Sequence, residues 1–264
     1  MKKDELGDRM KRDYEDRTRF YLPRRTYTLI RCDGKAFHSY TRGCARPYDL
    51  DLMADMDTTA VRLCEEMGGA RFAFVQSDEI SVLLTDFGAP LTEAWLDGNV
   101  QKMASVGASL ATAAFNQARL SRMPGRLPKT AAMALFDARV WTIPDRTEVF
   151  NYFVWRQQDA SRNSLSKTAR AHFPQKRLHA ISCDALQQLL LSEKGIDWND
   201  LPIGFQRGRA VVPVIEEKTV EYVDKRTQER KVAAGVLRRT WRVMEPPVFT
   251  RDREWLFAHI PVQE

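Results

Sequence analysis

The chain has 264 residues, of which 44% are apolar, and a net charge of +6 with a pI near 9.2. That length suits one large domain or a core domain with an appendage, and that apolar share excludes a disordered chain. No apolar run approaches the roughly eighteen residues of a membrane span, and the first turn mixes acids with bases, unlike a signal or transit peptide, so a cytoplasmic location without a membrane is expected. The basic balance is compatible with a nucleic-acid partner. The four cysteines, Cys32, Cys44, Cys64 and Cys183, show no CxxC spacing and read as reduced thiols rather than a zinc site.

In chain order, 3–17 reads as a charged helix with a solvated face, ended by Pro23. The β-branched, apolar run 27–32 predicts a strand that ends at Asp33-Gly34. Residues 49–67 carry apolar side chains at helical spacing and stop at Gly68-Gly69. Two strands follow, 70–75 and 80–84, joined through Gln76-Ser77-Asp78-Glu79. A helix is expected over 99–120, a loop at Pro124, Gly125 and Pro128, and a strand over 131–140. Beyond these, 145–170 and 179–194 read as helices, 203–214 and 218–223 as strands, 224–231 as a hairpin tip, and 232–243 as its return strand. Trp255, after Pro246 and Pro247, predicts a packed ending.

The order β-α-β-β-α-β is the ferredoxin-like arrangement of polymerase palms, an α+β fold with an antiparallel sheet and flanking helices. The expected division is a palm-like catalytic region with its N-terminal helix over 1–145, and a smaller C-terminal α/β extension over 146–264 for RNA binding and oligomer contacts. A palm brings the end of its first strand beside its central hairpin, so Asp33 and Asp78 would meet. Two such carboxylates can hold two Mg²⁺ ions, with the Gly34 carbonyl completing a shell, and that arrangement serves phosphoryl or nucleotidyl transfer. Taken alone, Asp-Gly and Ser-Asp-Glu are equally turn signals; both together in this strand order favour a metal site. The loop Lys35-Ala36-Phe37-His38 enters a helix, where free amides suit a triphosphate. Lys102 and Arg139 could each aim a cation at phosphate, and His38 is a phosphate or ribose contact or a packing residue. No Walker lysine, GxGxxG or Ser/His/Asp arrangement is present.

Four segments in series, Asp33-Gly34-Lys35-Ala36-Phe37-His38, Gln76-Ser77-Asp78-Glu79, Phe136-Asp137-Ala138-Arg139 and Trp155-Arg156-Gln157-Gln158-Asp159-Ala160, resemble the tRNA-histidine guanylyltransferase superfamily of 3′–5′ nucleotide-adding enzymes. The resemblance implies activation of a tRNA 5′-phosphate with ATP or GTP, attack by the 3′-hydroxyl of a nucleoside triphosphate, and two Mg²⁺ ions held by Asp33, Asp78 and the Gly34 carbonyl. It implies Glu79 as a supporting or catalytic group, nucleotide contacts from Lys35, Ala36, Phe37, His38, Ser77, Lys102 and Arg139, and a homotetramer built as a dimer of dimers. Enzymes specific for tRNA-histidine carry His-Ile-Asn-Asn-Leu-Tyr-Asn after the Arg-Gln-x-Asp, whereas Ser161-Arg162-Asn163-Ser164-Leu165-Ser166-Lys167 stands here. In that respect the chain resembles the guanylyltransferase-like proteins that repair 5′-truncated tRNAs by templated addition. Arg156, Arg162, Asn163 and Lys167 would be tRNA contacts or, equally, an exposed basic helix face. A dedicated tRNA-histidine enzyme, a nucleotidyl cyclase and a non-catalytic RNA-binding palm are the alternatives.

Overall fold

Strands β1 (Tyr27–Gly34), β2 (Ala70–Gln76), β3 (Glu79–Leu84), β4 (Phe136–Ile143), β5 (Arg209–Val223) and β6 (Arg230–Met244) form one antiparallel sheet in the order β4-β1-β3-β2-β5-β6. This computed structural model describes residues 4–122 and 133–263. The loop expected at Pro124, Gly125 and Pro128 and the first two residues of the strand expected over 131–140 lie outside them; the described strand starts at Phe136.

Both faces of the sheet are covered, which is why its inner strands are apolar nearly throughout rather than alternating. One face packs on α3 (Leu50–Glu66) and α4 (Val100–Arg122): Ile30, Cys32 and Val82 meet Met56, Ala60, Leu63, Met103 and Phe115. Asp49 caps α3 by accepting from Leu52 N at 2.9 Å. At Gly107 α4 lies against the sheet, and a Cβ there would make only an ordinary contact, 3.6 Å from Ile30. On the other face lies α5 (Arg146–His172), started by Asp145, which accepts from Thr147 and Glu148 N. Its Val149, Phe150 and Phe153 pack with Leu29, Phe72, Phe74 and the C-terminal Phe249, Leu256 and Ile260. The ending is thus packed, and α8 (Arg253–Phe257) lies within it. The far half of α5 forms a small cluster with α6 (Cys183–Lys194): Leu165, Ala169, Leu186 and Leu190.

The sheet continues past position 145, because β5 hydrogen-bonds to β2 through Ala73↔Val211 and Phe74↔Ala210. Several boundaries move. The N-terminal helix is α1 (Glu5–Met10), a π-type turn (Lys11–Glu15) and a 3₁₀ turn (Asp16–Thr18), none of it buried, and it ends well before Pro23. A four-residue α2 (Phe37–Tyr40) follows β1. Helix α6 starts at its Ser182 cap rather than at 179. Residues 203–207 are helical (α7, Ile203–Arg207), not extended, and β5 begins only after Gly208. Gly208 has φ +85°, and a Cβ there would fall 2.4 Å from the Phe74 ring, so no other residue makes that turn without displacement. β5 then runs unbroken to Val223. Among the described residues no helix is long and apolar enough to cross a membrane.

Candidate active site at the β2–β3 hairpin

Antiparallel pairing carries the first carboxylate to the second. Asp33, near the end of β1, is the register partner of Glu79 on β3 and of Asp137 on β4. Gly34 N donates to Asp78 O at 3.0 Å, which ties the β1 end to the hairpin tip. Ser77 adopts φ +49° at that tip, and its hydroxyl donates to Asp78 Oδ1 at 2.6 Å. The chain then turns sharply: a Cβ on Gly34 would stand 2.2 Å from the Phe37 ring, and Ala36 is left-handed at φ +54°. Phe37 is buried against Tyr40, Phe115 and Phe136, at ring distances of 5.0, 5.4 and 5.1 Å. Its ring anchors the turn. What the segment offers is backbone, since the amides opening a helix have no acceptor within it, together with the exposed side chains of Lys35 and His38.

Charge is distributed unevenly here. Glu79 is 8% exposed and accepts from Arg156 Nε at 2.8 Å, Arg156 Nη2 at 2.9 Å and Gln76 Nε2 at 3.2 Å. Asp33 has no comparable partner among the described residues. Burial, then the charges of Asp78, Glu79 and Asp137, push its carboxyl up to about 6, opposed by Arg31. The Nε of Arg31 is buried without a hydrogen-bond partner among the described residues, and Glu79 Oε2 stands 3.8 Å away.

The Asp78 side of the hairpin opens into a cavity of about 560 Å³. Its walls are the Gly34–His38 turn, the 41–49 loop, Asn163 and Lys167 of α5, and the stretch 204–209. Lys167 Nζ donates to Ser77 Oγ across this cavity. Surrounding protein holds the Lys167 pKa below the ordinary value, with Arg170 adding to that and Asp78 opposing it.

Asp33, Gly34, Lys35, Ala36, His38, Ser77, Asp78, Asn163 and Lys167 therefore share one corner of the fold. Arg139 lies two residues along β4 from Asp137, 62% exposed and 3.8 Å from Asp137 Oδ1. Arg162 is exposed on α5 and donates to Asp159 at 3.2 Å. Two expectations are corrected. Lys102 sits at the opposite end of the sheet: Met103 beside it lines a crevice with Thr28 and Leu84, whereas Asn116, near the other end of α4, donates to Ala134 O. At 1.5 Å per residue that separation is roughly 20 Å. The sequence shows where α4 begins but not that it begins far from the site. Arg156 is 4% exposed and committed to Glu79 and to Asp159 at 2.9 Å, so it is a structural clamp rather than an RNA contact. Conversely, Arg31, Asp137 and Asp159 gain weight from the structure. Only the alternation Arg31, Asp33 on one strand face hinted at the first, and the Asp137 register against Asp33 needed the pairing itself.

Asp33 and Asp78, with the Gly34 carbonyl, are hard oxygen donors of the kind magnesium takes, and the crowding at Asp33 is what a bound cation would relieve. Among the described residues no three His, Cys, Asp or Glu side chains converge as a self-sufficient metal centre.

A model of the family described as tRNAHis guanylyltransferase (Thg1) matches residues 7–144, which is the palm through β4. The chain belongs to this family. It is accordingly a nucleotidyltransferase. Its fold is that of a bacterial tRNAHis guanylyltransferase (Thg1)-like protein solved in complex with ATP, with 39% identity and a TM-score of 0.82 over 97% of this chain and 100% of that one. A second structure of a bacterial Thg1-like protein, in complex with GTP, matches at 38% and 0.76 over 98% and 100%. The tRNA(His) guanylyltransferase of Debaryomyces hansenii is 26% identical over 229 residues, 81% of this chain and 84% of that one.

Proposed function

We propose that this nucleotidyltransferase adds nucleotides in the 3′–5′ direction to the 5′ end of truncated tRNA, directed by the opposing strand, after activating the 5′-phosphate with ATP or GTP. The observation that carries the reading is the crowded Asp33 carboxylate beside Asp78 and the helix-opening amides of 36–38, next to a cavity of about 560 Å³ that Gly34, Ala36 and Asp78 line. The likeness to ATP- and GTP-bound bacterial Thg1-like structures over nearly the whole chain supports the same nucleotides here.

In the first step a 5′-phosphate oxygen forms a bond to the α-phosphorus of ATP, and pyrophosphate leaves. In the second, the 3′-hydroxyl of an incoming nucleoside triphosphate attacks the activated 5′-phosphorus, AMP leaves, and the hydroxyl proton passes to solvent. The amides of 36–38 would hold the triphosphate, since Lys35 N already donates to Leu135 O at 2.8 Å, with the Lys35 and His38 side chains beside it. Lys167, seated on Ser77, would place a cation against a phosphate oxygen on the cavity side. Asp33, Asp78 and the Gly34 carbonyl would hold Mg²⁺, which when bound acidifies the attacking oxygen and neutralises the leaving group. Glu79, clamped by Arg156, keeps the hairpin in place.

Repair rather than tRNA-histidine specificity is supported by the segment Ser161–Lys167. Where the histidine-specific pattern ends in asparagine, this chain puts Lys167 into the cavity wall. The family resemblance further supports a cytoplasmic homotetramer. The test is extension of tRNAs lacking their first 5′ nucleotide, one template base at a time, with Mg²⁺ and each labelled nucleotide. Incorporation that follows the opposing base is expected. Guanosine added only to tRNA-histidine would replace the reading with the dedicated enzyme, and product from nucleotides alone would replace it with a cyclase.

A further inference from the structure

On the side of the hairpin away from the cavity, α5 presents an exposed indole that the chemistry above does not use. Trp155 is 47% exposed. One face of its ring lies against the Arg156 guanidinium, 4.3 Å from the centroid, and its flank meets Tyr152 edge-on at 5.8 Å. Tyr152 in turn meets Trp141 of β4 at 5.6 Å and shares a 2.8 Å hydrogen bond with Ser81. The indole is therefore fixed, because Arg156 is itself locked onto Glu79 by two hydrogen bonds. Only one contact, Arg156–Glu79, separates it from the register partner of Asp33.

An exposed tryptophan is by itself unremarkable on a protein surface. This one stands among arginines that face acids of the same surface, Arg139 3.8 Å from Asp137 and Arg162 3.2 Å from Asp159, and the row has a direction. Trp155, Asp159 and Arg162 follow at helical spacing of four and three on one face of α5, leading from the aromatic ledge toward Asn163 at the cavity. Arg162 is 51% exposed, and Arg139, two residues from Trp141 on the same face of β4, is 62% exposed. Beneath them Arg31 carries a buried Nε with no hydrogen-bond partner among the described residues. A rigid π-face flanked by guanidiniums is what single-stranded RNA recognition uses: the ring takes a base of any identity, and the arginines take the backbone.

We propose that Trp155 is a stacking platform for an unpaired nucleobase of the tRNA acceptor end, positioning the strand over Asp33 while Arg139 and Arg162 engage its phosphates. This rests on the functional reading above and assigns the RNA-entry side of the same site. Sequence tolerance follows from stacking, and it suits an enzyme that accepts any opposing base.

The test is binding and extension of one 5′-truncated tRNA by wild type, Trp155→Phe and Trp155→Leu, with ATP affinity measured alongside. Stacking contributes about 1–3 kcal/mol per base, so Trp155→Leu should weaken RNA binding by about fivefold or more. Trp155→Phe should stay within about threefold, and ATP affinity should not move. Leu-variant RNA affinity within twofold of a wild type that extends the tRNA would overturn this proposal alone, whereas a wild type extending no truncated tRNA would overturn the functional reading and this with it. Photocrosslinking on wild-type protein needs no variant: 5-iodouridine at the unpaired acceptor position should label the tryptic peptide 147–156. Labelling confined to other peptides would also overturn the proposal.

Discussion

Two aspartates drawn into this fold are treated in opposite ways. Asp55, in the middle of α3, is fully buried, and both its oxygens are taken by guanidiniums: Arg119 Nη1 at 2.9 Å and Arg122 Nε at 2.8 Å. Asp33 is half-buried, and its neighbours Asp78, Glu79 and Asp137 carry its own sign. Of the surrounding carboxylates only Glu79 is fully matched, by Arg156. A carboxylate that serves the fold is neutralised by the fold, because an uncompensated buried charge is costly. One left unneutralised next to cavity-lining residues, as Asp33 is beside Gly34 and Asp78, is a candidate for a functional group. Under the proposed function a cation with its nucleotide completes the charge balance.

The comparison breaks first at the chemistry. Asp33→Ala and Asp78→Ala should each reduce nucleotide incorporation by at least about a thousandfold, the scale of losing a group that stabilises transition-state charge, while circular dichroism and melting remain those of a folded protein. Either variant extending truncated tRNA at near wild-type rates would remove the pair from the reaction. Asp55→Ala should do the reverse. Deleting one partner of a buried ion pair leaves the others uncompensated, at about 3–5 kcal/mol. Because Arg119 and Arg122 reach partly into solvent, the lower end is expected, read as an early denaturant midpoint with nucleotide incorporation preserved at low temperature. An Asp55→Ala protein as stable as wild type would show that the two arginines lose nothing without their partner.

Much of this was legible in the chain, and the boundary of legibility has a physical cause. Periodicity located β1, α3, the β2–β3 hairpin and α4, and the order βαββαβ sufficed to bring Asp33 to Asp78, because antiparallel pairing leaves little choice once the strands are known. The turn at 34–38 is visible as Asp-Gly followed by a helix start. What sequence could not show was direction and commitment. Lys102 looks well placed at a helix start until the helix is seen to begin at the wrong end of the sheet. Arg156 looks like an RNA contact until Glu79 is found against it at 2.8 Å. Residues 203–207 carry apolar side chains that suit a strand, but Gly208, turned against Phe74, separates them from β5. Each of these depends on a neighbour distant in sequence, which local pattern does not encode.

The finest separation of the two aspartates is in their pH dependence without metal. The folded-state value for Asp33 lies near 6, above the ordinary 3.8, so folding favours its protonated form. Its contribution to stability is complete below pH 4 and is lost as pH rises through 6. The full shift would amount to about 3 kcal/mol, but the group is half open to water, and solvent screening reduces the expected effect to about 1 kcal/mol. Asp33→Asn, which keeps the shape and removes the charge, should therefore melt like wild type at pH 4 in EDTA and a few degrees higher at pH 7.5. Adding Mg²⁺ at pH 7.5 should close or reverse that gap, because a cation bound by the folded wild type stabilises it by mass action and finds one ligand fewer in the variant. Equal melting temperatures at pH 7.5 in EDTA would mean that Asp33 already has its counter-charge within the protein, and the contrast with Asp55 would fail.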